Sequence, residues 1–157
     1  MRLEQIAEFR RRAGEDAQAL DAYERGIAHY ERAAASNPTN RDSAEHFIAL
    51  ALAGRARLAM EAGDLEGAVR ELRASFDKSP SAAATLDGLN LSPVDTAKML
   101  LARLKEAGKS DLANSLQSAL DALDPVMLRL PAYEREGPAN TPPAGRRPRP
   151  QGQPAGG

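Results

Sequence analysis

Two stretches of this 157-residue chain share their punctuation and little else. EAGDLEGAVRELRASFDKSP (Glu61 to Pro80) and EAGKSDLANSLQSALDALDP (Glu106 to Pro125) both open on Glu-Ala-Gly, and each has an Ala five residues after its Gly. Each closes on a Pro twelve residues later. Gly63 and Gly108 are 45 residues apart, and so are Pro80 and Pro125. A Gly can take the positive φ that ends a helix, and the residue before a Pro resists the helical region. What lies between such marks is a helix of fixed length. A unit recurring every 20–50 residues is the signature of stacked repeats.

Apolar spacing fills in the helices. SAEHFIALALAGRARLAM (Ser43 to Met60) carries a helical apolar pattern, with Ser43 as the expected N-cap. Gly63 should end that helix, and Asp64 should cap the next, whose inner stripe is Leu65, Ala68, Val69, Leu72 and Phe76. Ser92-Pro93-Val94-Asp95 combines an N-cap, a Pro at the first helical position and an acid three residues on. Met99, Leu100, Leu101 and Leu104 follow, then a turn at Gly108 and a last stripe of Leu112, Ala113, Leu116, Leu120 and Leu123. The composition agrees: Val and Ile number three each and Trp is absent, leaving little material for strands. An all-α domain over 1–130 is expected. The earlier stop at Pro38 marks a first unit, with Gly26 where Ala68 and Ala113 stand. Its turn is open to two readings. Either Leu20-Asp21 replaces the turn Gly, or residues 2–36 form a short helix and one long helix from Glu15.

The pattern resembles the tetratricopeptide repeat family, whose unit is a helical hairpin. The middle unit matches at Leu52, Ala56, Ala59, Gly63, Asp64, Ala68, Leu72, Ser75 and Pro80. The last matches at Ala97, Leu101, Leu104, Gly108, Ala113, Leu120 and Pro125. The first matches through its second helix, at Tyr23, Gly26, Ile27, Tyr30, Ala33 and Pro38. The resemblance implies a short right-handed solenoid of three hairpins, approximately 7–38, 49–80 and 94–125. It also implies a non-catalytic adaptor or scaffold whose concave groove holds a partner segment. The groove residues it points to are Arg11, Leu50, Ala53, Arg57, Met60, Lys98 and Lys105. Their Arg and Lys would suit an acidic or amphipathic segment. A specialised single-client chaperone, like the repeat-built secretion chaperones, is the alternative.

Little in the sequence points to chemistry. With no Cys there is no disulfide or thiolate site, and His29 and His46 have no ligand-spaced neighbours. No phosphate loop or nucleophile elbow is present. Neither an enzyme nor a cofactor is therefore expected. A net charge of −1 gives no basis for nucleic-acid binding. The absence of an apolar leader or long apolar run predicts a cytoplasmic protein without a membrane span. From Pro131 the chain carries seven of its eleven Pro and four Arg against two Glu, and a disordered tail over 131–157 is expected. The basic Pro-rich cluster at 146–150 reads most simply as part of a solubilising tail.

Overall fold

The computed structural model describes residues 2–86 and 91–125. The expected tail lies outside these residues, as does the cluster at 146–150. The described residues form six α-helices, two 3-10 turns and no strand. The helices are α1 (Leu3–Arg12), α2 (Asp16–Ser36), α3 (Arg41–Glu61), α4 (Leu65–Lys78), α5 (Pro93–Glu106) and α6 (Ser110–Asp121). They pair as three hairpins.

All three hairpins turn by one device. Gly14, Gly63 and Gly108 sit at φ +75°, +82° and +67°. At each, the Gly N–H donates three residues back, and the next N–H donates five residues back: Glu15 to Arg10, Asp64 to Ala59, Lys109 to Leu104, at 2.9 Å every time. This is the Schellman arrangement, which satisfies the last carbonyls of the first helix. A Cβ at these glycines would meet no atom within 4 Å, so the backbone angle, not space, demands Gly. Of the two readings of the first unit, the short helix with a long partner is the one formed. Leu20 and Asp21 lie inside α2, and Gly14 is the turn.

The caps follow the sequence in two places and depart from it in one. Asp64 Oδ1 accepts the Gly67 N–H at 2.9 Å. Ser92 and Asp95 form a reciprocal capping box, Oγ accepting from the Asp95 N–H and Oδ2 from the Ser92 N–H. Ser43, however, is not the N-cap of α3. A 3-10 turn at Pro38–Asn40, capped by the Asn37 side chain, feeds straight into a helix that begins at Arg41. A tight turn that already satisfies the first N–H groups leaves no work for Ser43.

Each helix packs on the next in sequence, and three pairs also skip one: α1 with α3, α3 with α5, and α4 with α6. One core gathers Ala56, Met60, Leu72, Leu100, Leu104 and Leu116 from α3 to α6. A second holds Ala7, Ala19, Ala22, Tyr23 and Ala51 between α1, α2 and α3. A third, small one joins Ala49, Leu50 and Ala82. The alanines let backbones approach closely, while each fully buried Leu contributes about 1.5–3 kcal/mol. Helix α3 belongs to all three cores and is enclosed on most of its circumference.

Candidate interaction surface

The seven residues singled out from the sequence fall into three settings. Leu50, Ala53, Arg57 and Met60, all on α3, are buried. Arg11 on α1 is nearly so, its side chain 9% exposed. Lys98 and Lys105 on α5 are exposed to solvent. Thus α1 and α5 close over the part of α3 that the resemblance assigns to the groove floor, and the two lysines stand on the open face.

Arg57 is not buried alone. Its Nε and Nη2 donate to Glu8 Oε2 at 3.3 and 3.1 Å, and its Nη1 donates to Thr96 Oγ1 at 2.9 Å. Thr96 passes its own hydroxyl hydrogen to the Ser92 carbonyl at 3.1 Å. On the other side, Glu8 receives the Tyr23 hydroxyl at 2.6 Å and the Arg11 Nε at 3.1 Å on both oxygens. Arg11 also pairs with Glu61 beyond it. One continuous chain of polar contacts therefore runs through α1, α2, α3 and α5, drawing on all three hairpins.

Local sequence explains how these groups meet. Glu8 and Arg11 are three apart on α1 and share a face. Tyr23 reaches Glu8 only because position 54 is Gly. A Cβ there would lie 2.3 Å from the Tyr23 ring, well inside contact distance. The electrostatics follow from this crowding. Burial pushes the Glu8 carboxyl up, but the Arg11 hydrogen bonds, the Arg57 charge and the Tyr23 hydroxyl outweigh it and hold it down at about 2. Burial and the adjacent Glu8 charge push the Tyr23 phenol up. Burial alone would lower Arg11, yet its bonds to Glu8 and the nearby Glu61 charge raise it further. Glu8, Arg11 and Tyr23 are thus fixed in their ordinary charge states at neutral pH. Such a cluster holds helices together but offers no group poised to exchange a proton.

A second polar corner sits at the opposite end of α1. Glu4 is buried, with Arg2 Nε 2.9 Å from its Oε1 in a direction that makes no hydrogen bond. Tyr30 approaches its Oε2 at 3.5 Å, too far to help much. Burial raises the Glu4 carboxyl, against the smaller lowering pull of its backbone hydrogen bond, Arg2 and Tyr30. Around it, Tyr30 stacks on Phe47 with ring centroids 5.2 Å apart, and Arg2 lies 4.4 Å over the Phe47 ring.

Among the described residues no group of three or more His, Asp or Glu side chains could hold a metal ion. Nor is any described helix long and apolar enough to cross a membrane. What sequence reasoning missed is the partnership of Tyr23, Gly54 and Thr96 with the Glu8–Arg57 pair. Their local signal is faint: a Gly in mid-helix beside a distant buried Tyr. Comparison of the chain with protein-family models, curated proteins and solved structures finds no match.

Proposed function

We propose that this chain is a protein-interaction module without chemistry of its own, a tetratricopeptide-like stack of three hairpins that holds an acidic partner segment. The segment lies across the exposed faces of α1 and α5, the first helices of the outer hairpins, over buried α3. The observation that carries this reading is the Glu8–Arg57–Thr96 connection, which links those three helices side by side. It makes α3 a buried keel and leaves α1 and α5 as the exposed ridges. On α5 the exposed residues include Lys98, Met99 and Lys105. Two lysines supply attraction for acids, and Met supplies adaptable apolar contact.

This geometry changes which substitutions test the idea. Arg57→Glu would put a second carboxylate against buried Glu8 and unfold the stack, so a loss of binding would mean nothing. Lys98→Glu with Lys105→Glu touches only solvent-exposed positions and preserves helicity. Affinity capture from the native cell, read by mass spectrometry, should lose specific partners in that double variant, and raised salt should weaken capture by the wild type. Undiminished capture by the double variant contradicts the proposal.

A further inference from the structure

The second helices of the middle and last hairpins, α4 and α6, pack against each other, and a cleft of about 460 Å³ opens between their C-terminal halves. Its apolar lining is Phe76 of α4 with Ala119, Ala122 and Leu123 at the end of α6. Two charges line it, Arg73 and Asp77, one turn apart on α4. Arg73 is engaged, donating to Ser115 Oγ at 2.9 Å across the cleft. Asp77 is exposed and forms no ion pair among the described residues. The cleft is thus an apolar trough with one unanswered acid on its rim.

The described chain ends at Pro125, two residues beyond Leu123. Val126, Met127, Leu128, Arg129 and Leu130 follow, ahead of the Pro-rich stretch from Pro131. We propose that this segment, 126–130, is the occupant of the cleft between α4 and α6. Chain connectivity puts it there, because Leu123 lines the trough and the segment begins three residues later. A tether that short holds it at an effective concentration of about millimolar, ahead of a second copy or a separate partner. The chemistry matches. Four of its five side chains are large and apolar, and leaving them in water beside an apolar trough forgoes their burial. Its one charge, Arg129, is opposite in sign to Asp77. The length matches too. From Ser115 to Leu123 is about 12 Å along the axis of α6, and five residues span at most about 17 Å. The segment turns back at Asp124-Pro125 and lies along the trough, covering the face made by these two helices. The packed domain accordingly runs to 130, and the Pro-rich stretch departs from this face.

The chain has no Cys, so a pair introduced into the full chain forms the only disulfide. Ala119→Cys is combined in turn with Val126→Cys, Met127→Cys, Leu128→Cys and Leu130→Cys, and each pair is oxidised mildly in dilute solution. Bonding should be intramolecular and position-dependent, the positions that face α6 closing about tenfold faster than the others. A second arm reads the apolar contact. Met127→Asp with Leu128→Asp should lower the melting temperature of the full chain by about 4 °C or more, the scale set by one lost apolar contact in a domain of this size. Ala144→Asp, in the Pro-rich stretch, should leave it unchanged. Closure at one slow rate at every position, as a segment diffusing past the cleft would give, overturns the proposal. Disulfide-linked dimers in place of monomers assign the cleft to a second copy and overturn it equally. So does a melting temperature that Met127→Asp with Leu128→Asp leaves in place.

Discussion

Glu4 and Glu8 leave the same face of α1 one turn apart, and both are buried, at 6% and 2% exposure. Their fates are opposite. Glu8 receives hydrogen bonds from Arg11, Arg57 and Tyr23 and is held at about 2. Glu4 has one oxygen without a hydrogen bond and is raised. Burial penalises both charges alike. The difference is the number of donors converging on each, and that number depends on how many helices meet there. Glu8 sits where three hairpins come together. Glu4 sits where only the first hairpin and the start of α3 do. The ionised cluster therefore marks the junction of the stack.

The comparison breaks most visibly if Arg57 is removed. Arg57→Met deletes the link between α1 and α5 and leaves Glu8 buried against Arg11 and Tyr23. Breaking one side of a buried pair costs about 3–5 kcal/mol, measurable by urea unfolding. Acid comes next. The Glu8 carboxyl is depressed in the folded state, so its contribution is present above its unfolded value of 4.5 and is lost as pH falls toward about 2. The full loss is on the order of 3 kcal/mol. A stability profile of Glu8→Gln should be flatter than wild type across that window. Glu4 should behave the other way. Its raised carboxyl is stabilising when protonated, below the unfolded value, and that contribution disappears as pH rises through the folded one. At neutral pH Glu4→Gln should therefore be neutral or slightly stabilising, and a clear loss of stability there would mean that Arg2 satisfies Glu4 after all.

The sequence carried the fold through its turns. Gly63, Gly108, Asp64 and the Ser92 capping box act within a few residues of themselves, and local chemistry can be recognised locally. The first turn is ambiguous because the same spacing, counted back from Pro38, falls at Leu20-Asp21, inside α2. That helix has 21 residues against 14 and 12 for its counterparts, running from the Gly14 turn to the stop at Pro38. The interaction surface was less legible. Leu50 and Met60, to which the resemblance points as groove residues, are buried on α3. A helix apolar on several sides is one enclosed by neighbours, and α3 touches α1, α2, α4 and α5. The ion pair of Glu8 and Arg57 spans 49 residues of sequence, and no local pattern announces it. Lys98 and Lys105, to which the resemblance also points, are exposed on α5.

The central claim is that Glu8 and Arg57 act as a coupled pair joining the hairpins into one stack. A double-mutant cycle over Glu8→Gln, Arg57→Met and the two together measures that coupling directly by chemical unfolding at neutral pH. The single changes should each be strongly destabilising, and the double should cost much less than their sum, giving a coupling of about 2–3 kcal/mol. Additive losses, with a coupling near zero, would contradict the account.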